Sequence, residues 1–231
     1  MGLPVKASTL EPAWNWSGFY AGLNAGYARG TTVWNDLDAS IIGGGTLANE
    51  STNGFIGGGQ IGYNWQLRHA VFGLETDFDY LSLNQTTRLF DLAGSGVVAF
   101  RLHDSVRWLG TVRGRAGLAL DNVLLYMTAG LAYGRTDHSV SDVANPPPSL
   151  QEVFRDFSTT KIGVVAGGGM EYGLDPRWSV KAEALYVDLG KHTGIFQSNG
   201  DPNLSSGFVG RLETLDTMWI VRAGVNYKFG G

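Results

Sequence analysis

Ala70-Val71-Phe72-Gly73-Leu74-Glu75-Thr76-Asp77-Phe78-Asp79-Tyr80 alternates without a break. On an extended chain Phe72, Leu74, Thr76, Phe78 and Tyr80 share one face, and Gly73, Glu75, Asp77 and Asp79 share the other. A period of two marks a strand with a different environment on each side. A run of about 9–11 such residues is long enough to cross a bilayer as a tilted strand.

The same alternation recurs along the chain. Eight segments carry it, at roughly 14–30, 52–66, 70–83, 105–118, 123–135, 159–172, 178–190 and 212–229. None carries a helical stripe. The connections alternate in length. Leu67-Arg68-His69, Ala119-Leu120-Asp121-Asn122 and Gly173-Leu174-Asp175-Pro176 are short, and Asp-Asn and Asp-Pro are turn formers. The other four run to about 20 residues each and hold Gly43-Gly44-Gly45, Gly94-Ser95-Gly96, Pro146-Pro147-Pro148 and Ser198-Asn199-Gly200-Asp201-Pro202. Short turns at one end and long polar loops at the other predict an eight-stranded antiparallel up-and-down transmembrane β-barrel. The expected division is a tail over residues 1–13 and a barrel over 14–229.

Composition agrees with this class and removes others. Glycine supplies 34 of the 231 residues, about twice its usual share, but without the period of collagen. Aromatics at 12% argue against disorder. The absence of cysteine excludes disulfides and thiolate chemistry. A net charge of −4 gives no electrostatic case for nucleic acid. No apolar window approaches the length of a membrane helix, and Met1–Lys6 lacks the apolar core of a signal peptide, so the start reads as a mature N-terminus.

A water-soluble barrel would turn its apolar faces inward. Two features oppose that. The aromatics of the apolar faces sort by height, with small aliphatics between them. Trp16, Phe19, Trp65, Phe72, Tyr172, Trp178, Tyr227 and Phe229 fall near the short turns, and Tyr27, Tyr80, Trp108, Tyr133, Tyr186 and Trp219 near the long loops. Two such girdles match the two membrane interfaces. The polar faces, in turn, are rich in glycine, including Gly22, Gly26, Gly58 and Gly62. A narrow eight-stranded interior needs small residues to make room for long charged ones.

The expected lumen network is Glu75, Asp77, Asp79, Glu171 and Glu183 against Arg113, Arg115, Lys161, Lys181 and Arg222, five acids and five bases. Charges in a narrow interior persist by pairing, because an unpaired buried ion costs several kcal/mol. Glu75 and Asp77 are expected to pair with Arg113 or Arg115 on the neighbouring strand. A plugging network is the reading, rather than acid–base catalysis.

Other motifs carry less. Gly57-Gly58-Gly59 and Gly167-Gly168-Gly169 open no helix and lack a following Gly-Lys-Ser/Thr, so they are not phosphate loops. His103, His138 and His192 lie in or beside three long loops without metal-ligand spacing, which leaves them weak metal or haem candidates against scattered surface. No histidine falls in the membrane part of a strand, so no Ser-His-acid site is expected, and the chain reads as a non-enzyme without cofactor. Asp36, Asp38, Glu50, Asp142, Glu152 and Asp201 are loop acids that read as solvated surface; bridging lipopolysaccharide phosphates through divalent cations is the alternative.

Trp14-Asn15-Trp16-Ser17-Gly18-Phe19-Tyr20-Ala21-Gly22-Leu23-Asn24-Ala25-Gly26-Tyr27 resembles the start of the porin-family small outer-membrane barrels of alphaproteobacteria. That family includes surface antigens and haemin-binding proteins and sits within the OmpA-like eight-stranded group. Leu3-Pro4-Val5-Lys6-Ala7 is similar to its segment after signal cleavage. Val221-Arg222-Ala223-Gly224-Val225-Asn226-Tyr227-Lys228-Phe229 resembles its last strand, whose terminal aromatics Tyr227 and Phe229 would be the signal for the outer-membrane assembly machinery; here Gly230 and Gly231 follow. The resemblance implies an outer-membrane location, contact with outer-membrane lipids and lipopolysaccharide, and no fixed catalytic set. The expected role is a structural or surface-exposed barrel, a monomer by default, with lateral pairing through the girdles as the alternative. A passive pore and a loop-borne haem or ligand site are the rival functions.

Overall fold

The computed structural model describes residues 14–38, 45–90, 98–142, 157–197 and 209–229. Eight strands run as β1 Gly18–Asp36, β2 Gly45–Leu67, β3 Ala70–Phe90, β4 Val98–Leu120, β5 Val123–Asp142, β6 Phe157–Gly173, β7 Trp178–Gln197 and β8 Val209–Phe229. Each pairs antiparallel with the next, and β1 closes on β8, so every strand has two partners. Closure removes the unpaired edges that lipid would not tolerate.

The short connections are tight. Leu67 pairs with Ala70 and Leu120 with Val123, and Arg68 and Asp121 take φ of 59° and 52° at the first turn position. Positive φ there matches the turn to the right-handed twist of the flanking strands. In the β6–β7 turn, Asp175 Oδ1 accepts from the backbone N–H of Arg177 at 2.9 Å and of Trp178 at 3.0 Å.

The strands extend well beyond the expected segments at the other end. β1 continues to Asp36 and β2 starts at Gly45, so the connection between them is far shorter than the loop anticipated. His103, His138 and His192 accordingly stand in β4, β5 and β7 rather than in loops, as do Asp36, Glu50 and Asp142 in β1, β2 and β5. Backbone pairing carries the ladder outward even where hydrophobic alternation has faded. Residues 1–13, Glu152 and Asp201 lie outside the described residues.

The outer surface is apolar in a way water would not permit. Leu23, Met127 and Ile162 are each more than 70% exposed, and Leu131, Val164 and Val221 join them in the middle band. A continuous exposed apolar belt marks a lipid or partner surface. Aromatic rings flank it. Near the short turns Phe19 meets Phe229 at 5.6 Å between centroids, Trp178 meets Tyr227 at 5.0 Å, and Tyr227 meets Phe229 at 5.1 Å; Trp65, Phe72 and Tyr172 are exposed at the same level. Toward the other end Trp108 packs on Phe78 at 5.5 Å and on Tyr133 at 6.1 Å, and Tyr186 meets Trp219 at 5.0 Å, with Tyr27 and Tyr80 exposed.

Trp16 departs from this belt. It is only 3% exposed and packs on Trp14 at 5.4 Å, inside a buried cluster with Val71, Ala119, Leu124 and Tyr126. β1 begins at Gly18, where φ is 130°, so strand alternation does not extend back to Trp16. The chain instead tucks both indoles into the barrel mouth. Trp14 lies so close to Gly173 that a Cβ there would stand 2.5 Å from its ring.

Candidate functional site

The inward faces stack in layers, read here from the short-turn end. The tryptophan cluster comes first. Above it lies a layer whose charges come from β3, β4, β6, β7 and β8, and to which β2 contributes Gln60 and Asn64. β3 supplies Glu75, Asp77 and Asp79; β4 supplies Arg113 and Arg115; β6, β7 and β8 supply Glu171, Lys181, Glu183 and Arg222.

Arg113 is the hub. Its Nη2 lies 2.5 Å from Glu75 Oε1 and 2.7 Å from Asp77 Oδ2, and its Nη1 lies 3.2 Å from Glu183 Oε2. Arg222 reaches Asp77 at 2.8 Å, Asp79 at 2.5 Å and Glu183 at 2.7 Å. Lys181 Nζ donates to both oxygens of Glu75 at 3.0 Å. Arg115 bridges to Glu171 at 2.8 Å and lies farther from Glu75, at 3.6 Å. Its guanidinium also stacks 4.0 Å from the Tyr126 ring centroid, a cation–π contact in a dry setting. These charges are at most a few per cent exposed, so each pairing offsets a desolvation cost that neither partner could bear alone.

Neutral side chains complete the layer. Tyr20 Oη donates to Glu75 Oε2 at 2.7 Å and accepts from Arg115 Nη1 at 3.0 Å, and Tyr126 Oη donates to Glu183 Oε2 at 3.0 Å. An amide chain runs from Asn24 to Gln60 at 2.7 Å, Gln60 to Asn226 at 2.8 Å and Asn226 to Glu171 at 2.8 Å. Reading alternation for charge alone left these residues out of the expected network. Their signal was present in strand parity: Tyr20 and Asn24 alternate with Gly18, Gly22 and Gly26, and Asn226 sits four residues from Arg222.

Nine of the ten expected lumen charges meet in this layer, and Lys161 does not. It lies farther along the barrel and pairs with Asp216, with Thr214 accepting a second bond at 3.2 Å. Between them and the main network lies a layer absent from the polar-face expectation. Ala28, Ile56, Leu81, Leu109, Ala132, Val165, Leu185 and Ile220, one residue from each strand, form a buried apolar ring extended by Leu83, Val187, Leu189 and Met218. Among the described residues, the lumen is closed by salt bridges below and by hydrocarbon above.

The side chains of His103 and His138 lie outside the described residues, and His192 is half-buried on β7. Among the described residues, no cluster of three or more His, Cys, Asp or Glu is arranged to hold a metal ion. Of the expected loop acids, Asp38 is bound by Arg211, Nη2 to Oδ1 at 2.6 Å.

A closed antiparallel barrel with a lipid-facing aliphatic band, two aromatic girdles and a sealed interior defines a small outer-membrane β-barrel protein. The family model described as outer membrane protein beta-barrel domain matches residues 1–229, and the chain belongs to that family. It is 34% identical to the 31 kDa outer-membrane immunogenic protein of Brucella melitensis biotype 1 over 97% of this chain and 89% of that protein. It is 31% identical to the 22 kDa outer membrane protein of Rhizobium leguminosarum bv. viciae over 97% of this chain and 83% of that one. Among solved structures, the outer membrane protein OprG from Pseudomonas aeruginosa has the same fold, with a TM-score of 0.56 at 14% identity, covering 95% of this chain and 99% of that one. The short-turn end is therefore periplasmic and the extended strand ends face outward.

Proposed function

We propose that the protein is a non-conducting, non-catalytic structural barrel that presents its outer strand ends and loops at the cell surface, where it acts as a surface antigen. The observation that carries this reading is the doubly sealed lumen: a hub at Arg113 that holds three carboxylates, beneath an apolar ring drawn from all eight strands. Among the described residues, such an interior spends most of its polar groups on one another. The immunogenic relatives support surface exposure. Outer-membrane lipids and lipopolysaccharide are the proposed surroundings. Arg29 stands in register with the girdle residue Trp219, and Arg135 with Trp108, which puts guanidinium groups at headgroup height beside the outer aromatics. Insertion would proceed through the outer-membrane assembly machinery reading Tyr227 and Phe229. The barrel is proposed to act as a monomer.

Because the chain has no cysteine, topology can be tested cleanly. Thr46→Cys, at the outer end of β2, should react with a membrane-impermeant maleimide on intact cells. Arg177→Cys, in the β6–β7 turn, should react only after the outer membrane is opened. The reverse pattern would refute surface presentation of the strand extensions.

A further inference from the structure

Residues 14–17 are held from almost every side of the barrel. Trp14 and Trp16 are 7% and 3% exposed and share one buried cluster with Val71 of β3, Ala119 of β4, and Leu124 and Tyr126 of β5. Trp14 also lies against Gly173 of β6, where a Cβ would overlap its ring. The backbone is held as well. Trp16 N–H donates to Gln66 Oε1 of β2 at 2.7 Å, and Gln66 N–H donates in return to Ser17 Oγ at 2.9 Å. Lys228 of β8 donates to the Asn15 carbonyl at 2.5 Å and sets its ammonium 5.3 Å from the centroid of the Trp14 ring. One short segment thus gathers contacts from β2, β3, β4, β5, β6 and β8.

These holds depend on closure. Lys228 stands beside the start of β1 only because β8 has paired with it, Tyr20 opposite Lys228. The indoles meet residues of β3 to β6 only across a finished mouth. The segment therefore docks after the cylinder has closed. Its hinge is Gly18, at φ 130°. A Cβ there would meet nothing nearer than 3.7 Å, so backbone conformation and not crowding calls for glycine. Ser17 N–H donates to Asn15 Oδ1 at 2.9 Å, a local turn that bends the chain back over the mouth. Both indole N–H groups are buried without an acceptor among the described residues. The docked state carries that desolvation cost, which packing and the backbone bonds outweigh.

We infer that residues 14–17 form a periplasmic stopper, a strap that swings in on Gly18 once β8 has closed on β1, covers the mouth and locks the closed barrel. It acts in two ways. As a cover, it keeps water from the near side of the charged layer, where Arg115 stacks on Tyr126, itself a member of the tryptophan cluster. As a lock, it joins Lys228 on the last strand to Gln66 on the second through residues outside the strand ladder. The β1–β8 seam then cannot part before the strap leaves. The stopper works at the end of the lumen opposite the apolar ring.

The test uses the lack of native cysteine. Val71→Cys places a thiol among the indoles with little change in volume. In the detergent-refolded full chain that thiol should resist a small water-soluble reagent, methanethiosulfonate-ethylammonium. Adding Trp14→Gly and Trp16→Gly should make it react rapidly. Unfolding of the same variant at fixed temperature, read as loss of the fast-migrating folded band, should quicken about tenfold, as expected for contacts made after the folding transition state. Gly18→Val keeps both indoles and disfavours only the hinge conformation, and it serves if the double variant does not fold. It should also expose the thiol and speed unfolding. A thiol that reacts equally in the parent and in these variants overturns the cover, and an unfolding rate that neither variant changes overturns the lock.

Discussion

Arg113 on β4 and Glu183 on β7 meet across the lumen, Nη1 to Oε2 at 3.2 Å, although their strands share no backbone pairing. The same guanidinium holds Glu75 and Asp77 on β3, so one side chain ties together three strands around the barrel. Removing it would take a cation from three buried carboxylates, leaving Glu75 to Lys181 and both Asp77 and Glu183 to Arg222. Arg113→Ala is expected to destabilise the folded barrel by about 3–5 kcal/mol, the usual cost of breaking a buried ion pair from one side. Urea titration in lipid vesicles measures this, and an unchanged midpoint would show that the network does not hold the strands.

The apolar ring makes a separate prediction. Leu109 and Leu185 come from β4 and β7 and are fully buried. Leu109→Ala with Leu185→Ala should cost about 2–5 kcal/mol per site through the cavities left behind. The barrel should nonetheless stay closed to ions, because the charged layer beneath is intact. Joined with Arg113→Ala, the same pair should leak. Conductance of the double variant alone would place the seal in the ring and not in two barriers in series.

Lipid contact is tested by depth. Ala223 lies on the outer face of β8 midway between Tyr227 and Trp219, and Thr31 lies beyond the outer girdle on β1. Ala223→Arg should cost about 2–4 kcal/mol and Thr31→Arg close to nothing, the depth profile of a barrel in a bilayer. Refolding equilibria in vesicles compare them. Equal costs would mean that the aliphatic band is not in hydrocarbon.

The mouth can be probed through Gly173. Gly173→Val would push a branched side chain into the Trp14 ring, where even a Cβ lies 2.5 Å away. A loss of about 1–3 kcal/mol from overpacking is expected, with the indole emission moving to the red as Trp14 is driven into water. Unshifted emission would place Trp14 outside the mouth.

The alternation of Phe72 to Tyr80 made the barrel and its lipid face legible because a strand's two sides meet two different solvents. Parity failed where the strand stopped: Trp16 precedes β1, and its burial depends on a turn that alternation does not describe. Charge also proved a partial guide to the lumen. Lys161 has the parity of Glu171, yet ten residues along a tilted strand carried it past the apolar ring to Asp216. The ring escaped notice because its members, such as Val165 and Ile220, are aliphatic residues on a face read as polar, and only closure of the sheet brings eight of them to one height. The outer strand extensions are held by backbone pairing, which leaves no hydrophobic period to read.

Planar-bilayer recording of the refolded protein, with heat-shifted gel mobility establishing that it is folded, bears most directly on the sealed lumen. The account predicts a folded protein that passes no current. Stable, reproducible conductance steps from the unmodified chain would contradict it and make the barrel a pore.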